Sequence, residues 1–177
     1  MTSPQKNMRD REQRRGLAAG VYWTIGLLLA VGWAVGAPLA HADAGAFLVD
    51  PDAETYLLAA LNRERVATGR APLARDSRLD ALARTKARDM AERGYFDHVS
   101  PSLGTVFDML RSQGIDFKWA GENIARVRDV ETAHRAFMES AQHRANILSA
   151  GYTHVGLGVV RHRGKVYIAQ IFMKPRA

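Results

Sequence analysis

The chain predicts an α+β domain built in layers, and three observations carry that prediction. Apolar residues recur at helical spacing from about residue 52 to 140, and strand-type alternation begins only after about residue 152. No βαβ repeat joins the two regimes, which argues against a doubly wound sheet. A chain of 177 residues, 47% hydrophobic and 24% charged, has the composition of an ordinary globular protein with one domain.

The first 42 residues read as a targeting segment that precedes this domain. Lys6, Arg9, Arg11, Arg14 and Arg15 against Asp10 and Glu12 form a basic head, and the 25 residues from Gly16 to Ala40 carry no charge. Ala40-His41-Ala42 places small residues where a signal peptidase needs them, so cleavage before Asp43 is one reading. At a rise of about 1.5 Å per residue the same run is long enough to cross a bilayer, so retention as a transmembrane anchor is the other. Gly32, Gly36 and Pro38 weaken its late part as a continuous helix, which favours cleavage. In both readings the basic head stays cytoplasmic and the rest is exported, as a secreted, periplasmic or envelope-associated domain. Arg14-Arg15 is only a faint match to a twin-arginine signal.

The exported part contains no cysteine, which excludes disulfides and thiolate chemistry and leaves the core to hold the fold. Removing 42 of 177 residues leaves 135, enough for one core. The formal charge of +7 divides into five basic and two acidic residues in the leader and 20 basic and 16 acidic residues afterwards. The arginines of "RDSRLDALARTKARDMAERG" are interleaved with acids, the pattern of a solvated helix face, and nothing indicates a nucleic-acid partner.

The elements follow in order. After a linker over residues 43–53, Leu57, Leu58, Leu61 and Val66 predict a helix over about 52–68, capped by Asp52 and ended by Gly69. "APLARDS" makes a turn. Leu79, Leu82, Ala83, Ala87 and Met90 then predict a second helix over about 76–93, between Asp76 and Gly94. "YFDHVSPSLG" is a loop presenting His98, and "TVFDMLRSQG" a short helix with Val106, Phe107 and Leu110 inward. "IDFKWAGENIAR" reads as a loop with a short strand holding Glu122. Asp129 then caps a helix to about Ser140 that buries Val130, Ala133, Phe137 and Met138. The last two β-rich runs, around Arg163-Gly164, form an antiparallel hairpin.

"HVSP" at 98–101, "AGENIA" at 120–125 and "SAQHRANIL" at 140–148, in this order, resemble the bacterial branch of the CAP superfamily (cysteine-rich secretory proteins, antigen 5 and pathogenesis-related 1), also called the SCP domain. "LNRERVATGRAPLARDSRLDALARTKARDMAERGYFDH" and "YTHVGLGVV" extend the resemblance across residues 54–173, and the domain is expected over 54–175. The resemblance implies an α-β-α sandwich, a small antiparallel sheet flanked by helices. It also implies a cleft where His98, Glu122 and His143 converge, with Ser140 and Asn146 beside them. Family members of eukaryotic type carry a second glutamate near the end of the preceding helix. Here that place falls on Ser140, and Glu139, one residue early, is turned about 100° away. A reduced set of two histidines and one glutamate is therefore expected.

Two imidazoles and a carboxylate are suitable donors for zinc, with a position open for water, and metal-bound water can attack an ester or amide. The spacings of 24 and 21 residues match no local ligand motif, so only the resemblance joins these three residues. The alternative is a hydrogen-bonded tie that pins the loop to the helix. A binding module for a lipid-like or envelope-derived ligand, or for a divalent metal, is favoured over a metal-dependent hydrolase and over a non-catalytic envelope interaction protein. A monomer is expected, meeting the membrane only through an uncleaved leader.

Other polar residues carry plainer expectations. Ser100, Ser102 and Ser140 read as caps, since no G-x-S-x-G elbow is present. Asn123 and Asn146 are expected to satisfy loop backbone, Arg144 to pair with an acid, and Asn62 and Arg65 to act as structural ties. His134, His154 and His162 are expected at the surface, and Trp119 and Tyr95 in the core. Gly156 and Gly158 are expected to permit close backbone approach, since no helix follows them to make a nucleotide loop.

Overall fold

A computed structural model describes residues 45–176; the leader, 1–42, and the start of the linker lie outside the described residues. Five helices and five strands follow in the order β1 (Leu48–Val49), α1 (Pro51–Ala67), β2 (Ala74–Arg75), α2 (Ser77–Arg93), α3 (Val106–Ser112), β3 (Phe117–Val127), α4 (Val130–Glu139), α5 (Ala141–Leu148), β4 (His154–His162) and β5 (Lys165–Pro175). Among the described residues no helix is long and apolar enough to cross a membrane.

Several boundaries follow from side chains that cap exposed backbone groups. Asp76 accepts from the Arg78 N–H at the start of α2, and Asp129 accepts from the Thr132 N–H at the start of α4. Gly94 closes α2 in the left-handed region with φ 71°. At α1 the cap is Asp50 rather than Asp52, because Pro51 takes the first helical position and Asp50 then faces the Ala53 N–H. The stretch read as a linker thus contains β1 and the first turn of α1. In α3 Met109 is buried beside Val106 and Leu110, whereas Phe107 lies outward against Phe117.

The sheet runs β1-β4-β5-β3, with β2 pairing in parallel to the start of β4. Both faces of the hairpin are covered, so both alternating sets are apolar. Val155, Leu157, Val159, Val166, Ile168 and Phe172 pack with α1, α4 and α5, whereas Val160, Tyr167, Ala169, Ile171 and Met173 pack with α2 and α3. This is the expected three-layer α-β-α arrangement. α2 lies close on β4 because Gly156 and Gly158 face it, and a Cβ on either would collide with backbone of Leu79 and Asp80 or of Ala83 and Arg84. β3 adds to the far side of β5 from Val127↔Val166 to Phe117↔Pro175, a longer strand than the sequence predicts, and becomes an edge of the sheet.

The hairpin turn, Arg163-Gly164, has φ of 47° and 69°. Glycine and asparagine suit both places, whereas an arginine there costs about 1–2 kcal/mol.

Candidate ligand cleft

The loop that carries His98 is fixed from inside the fold. Lys86, wholly buried in α2, donates from Nζ to the carbonyls of Asp97 at 2.7 Å and His98 at 3.0 Å, and to the Tyr95 hydroxyl at 3.2 Å. Burial pushes its ammonium below the ordinary lysine range. Tyr95 donates in turn to Asp89, which also accepts from Ser100 and Ser102, each at 2.7 Å, and from Arg93 at 2.8 Å. Burial opposes ionisation of Asp89, but these four donors outweigh it and hold the carboxyl at about 2. The loop is thereby tied to one turn of α2. Neither Lys86 nor Asp89 was picked out by the sequence reading, although the spacing Leu82, Lys86, Met90 placed a cation in an apolar stripe.

β3 supplies Glu122, buried opposite Ile171. Its Oε2 accepts from His98 Nδ1 at 2.7 Å, and its Oε1 is buried without a hydrogen-bond partner. Asn123, the next residue, faces the other side of the sheet. Its Nδ2 donates to the His143 carbonyl at 3.2 Å and to Gln170 Oε1 at 3.1 Å, while its Oδ1 accepts from Asn146 at 2.9 Å. Asn146 also donates to the Glu122 carbonyl at 3.2 Å. Two asparagines therefore hold α5 against the edge of β3, and that places His143 opposite His98.

His143 stands in the first turn of α5, a helix of its own, because the chain breaks at Ser140 in extended conformation with ψ 120°. The sequence shows no glycine or proline there. The break is bridged instead by Arg144, which donates to the Met138 carbonyl at 2.8 Å rather than to an acid. At the far end of α5 the buried Arg65 side chain donates to the carbonyls of Ile147 and Ser149, and also to that of Ala71, the structural role expected of it.

His98 and His143 line one open cavity of about 300 Å³ with Phe96, Asp97, Ile124 and Gln142. Glu122 acts on it through His98. Ser140 and Asn146 are not among its lining residues, and Glu139 is exposed. The bond to Glu122 raises the His98 pKa above that of an ordinary imidazole. Burial, reinforced by the charge of His98, lowers that of His143. The cleft thus pairs an imidazole whose protonated form is favoured with one whose neutral form is favoured.

A zinc site needs three or four protein donors. Among the described residues no preformed group of three His, Cys, Asp or Glu side chains surrounds a single point. Glu122 places one carboxylate oxygen on the His98 ring and keeps the other buried without a partner.

Two histidines expected at the surface are buried. His134 packs between α4 and α1, its ring nitrogens without hydrogen bonds and Glu64 3.7 Å from Nε2, and burial lowers its pKa. His162 stacks on Phe47 with ring centroids 4.0 Å apart. His154 is half-buried beside the Thr153 hydroxyl. Trp119, expected in the core, is half exposed on β3, whereas Tyr95 packs against the α2-side core.

The profile of the cysteine-rich secretory protein (CAP) family matches residues 58–173. YkwD of Bacillus subtilis is 44% identical over 114 residues, 64% of this chain and 44% of that protein. YlbC of the same organism, described as a membrane protein, is 36% identical over 127 residues, 71% of this chain and 36% of that protein. The chain thus spans less than half the length of these curated relatives. A crystal structure of an extracellular SCP-domain protein from Bacillus anthracis superposes with a TM-score of 0.65 at 31% identity, over 71% of this chain and 41% of that one. With that profile covering nearly all of the described domain, the chain, though it lacks cysteine, belongs to the cysteine-rich secretory protein (CAP) family.

Proposed function

We propose that this protein is an exported CAP-domain binding module that holds a small lipid-like or envelope-derived ligand in the cleft between His98 and His143. One observation carries the reading: two imidazoles with opposite pKa displacements face one cavity whose other walls include Phe96 and Ile124. An apolar chain fits the aromatic and aliphatic wall, and an anionic head fits the Nε2–H of protonated His98. Export is supported by the leader and by relatives described as extracellular and as a membrane protein.

Turnover has less support. The hydroxyls of Ser100 and Ser102 are engaged by Asp89, so neither meets a histidine base. The test is titration of the full chain with octanoate and, separately, with zinc, by calorimetry and by NMR of the histidine rings. Saturable octanoate shifts at His98 and His143 that vanish in His98→Ala are expected. Tight one-to-one zinc binding lost in both His98→Ala and His143→Ala would overturn the reading in favour of a metal centre.

A further inference from the structure

The end of the sheet away from Trp119 carries a second concave site. Arg126 and Arg128, at the end of β3, and Arg163 and Lys165, at the β4–β5 turn, line a depression of about 370 Å³ with Val127 and Gly164. Other arginines of the fold are neutralised, Arg75 and Arg84 on Glu54, Arg78 on Asp76, Arg93 on Asp89 and Arg161 on Asp50, and those without an ion pair, such as Arg63, Arg70 and Arg135, do not share one depression with further cations as these four do. Among the described residues no carboxylate lies within ion-pair distance of any of these four cations. Asp129, next to Arg128, is occupied in capping α4. Arg126 also reaches over the Phe96 ring, 5.3 Å from its centroid.

The turn adds an independent observation. Arg163 holds φ 47°, where asparagine or glycine would be cheaper, so the fold keeps a strained conformation at a place where the side chain is a cation directed to the depression. Chain direction adds a third. β1 pairs with β4 at Leu48↔Arg161 and Val49↔Val160, and Phe47 stacks on His162, so the chain enters the domain at this same end. Leu48 and Val49 are exposed there, 44% and 39%. The five residue steps from Ala40 to Gly45 span at most about 18 Å, so with an apolar leader kept in a bilayer this end could lie no farther than that from the membrane surface.

We infer that Arg126, Arg128, Arg163 and Lys165 form a docking site for the phosphate headgroups of anionic phospholipid, with Leu48 and Val49, on the opposite edge of the sheet at the same end, as separate apolar contacts. This rests on the reading that the domain is exported and, of the two fates of its leader, on retention as an anchor rather than cleavage. Each cation near such a surface strengthens attachment about fivefold, and salt screens the effect.

The test uses the full chain, leader included, in discs of phosphatidylcholine alone and of phosphatidylcholine mixed with phosphatidylglycerol. Co-elution with the neutral discs reports the anchor, and hydrogen exchange at residues 126–128 and 162–165 reports the docking site, so failure of one is separable from failure of the other. Exchange at both segments is expected to slow at least about fivefold in the anionic discs and to recover in high salt. Arg163→Asn, which relieves the turn, is expected to raise the melting temperature while weakening the protection. Equal exchange in both discs, or protection untouched by Arg163→Asn, would overturn the inference. Protection reproduced in neutral discs by inorganic phosphate would overturn the membrane assignment in favour of a soluble phosphate ligand. If neutral discs fail to retain the chain, retention by the anionic discs alone supports the docking site, and retention by neither overturns it.

Discussion

Lys86→Met separates two ways in which a buried cation can act on the cleft. Methionine keeps the length of the side chain and its packing in α2 but removes the three donated hydrogen bonds to Asp97, His98 and Tyr95. Bonds from a charged donor contribute about 1.5–3 kcal/mol each. Two effects reduce the sum: water reaches the backbone of exposed Asp97 and His98, and the desolvation of an ammonium, several kcal/mol, is relieved. A net loss of about 2–4 kcal/mol is expected, or a fall in melting temperature of roughly 10 °C for a domain of this size. The sign of the His98 titration is the sharper readout. The charge of Lys86 lowers the His98 pKa directly, so loss of that charge alone would raise it. If Lys86 instead holds the loop so that His98 meets Glu122, its removal frees the ring and the pKa falls toward the ordinary value. NMR titration of His98 in the variant distinguishes the two, and a rise with an unchanged melting curve would refute the clamp.

Three further outcomes follow from the same geometry. Glu122→Gln removes the largest cause of the raised His98 pKa and leaves burial and Lys86 opposing protonation, so the His98 titration is expected to shift downward; an unmoved midpoint would mean that the 2.7 Å bond does not form in solution. Gly158→Ala places a Cβ against backbone of Ala83 and Arg84, which cannot yield as a side-chain tip would, so a loss near the top of the usual overpacking range of about 1–3 kcal/mol is expected in urea unfolding. The two cleft histidines oppose each other in pH dependence. The raised His98 contributes stability that is full below pH 6.5 and lost as pH rises through its folded pKa, whereas the lowered His143 contributes stability present above 6.5 and lost as pH falls through its folded pKa. Relative to the native chain, His143→Ala should therefore gain stability from pH 7 to 5 and His98→Ala should lose it, and parallel unfolding curves across that window would contradict the assignment.

What the sequence made legible were features whose cause is local. Asp76, Asp129 and Gly94 sit where a helix end leaves bare amides or demands a left-handed residue, and all three bound the helices expected of them. Gly156 and Gly158 were readable because no helix follows them and a strand glycine needs a reason, here the backbone of α2. Features whose cause is a distant partner stayed hidden. β1 and β2 are two-residue strands that exist because β4 offers an edge, and their sequences carry no strand signal. The break at Ser140 carries no breaker residue; what spans it is Arg144, reaching back from α5 to the Met138 carbonyl. The charged face of α2 read as solvated, and for Arg78 and Arg88 it is, but Lys86 and Asp89 turn inward to a loop that lies beyond the helix and satisfies them.

The same distinction explains the cleft. His98, Glu122 and His143 come from a loop, an edge strand and a helix start, and each is placed by a neighbour with no chemistry of its own: Lys86 for the loop, Asn123 and Asn146 for the helix. A motif of three residues therefore shows which side chains are present without showing what they face. The structure turns Glu122 onto His98 and leaves the two histidines lining one open cavity, an arrangement reached through hydrogen bonds from Lys86 and Asn123 to backbone carbonyls. Anchoring residues of this kind should accordingly be as sensitive as the histidines themselves. Asn123→Leu would remove the bonds to the His143 carbonyl, Gln170 and Asn146 together, at a cost of about 1–3 kcal/mol for each buried group left bare, although Asn123 itself is not among the residues that line the cavity.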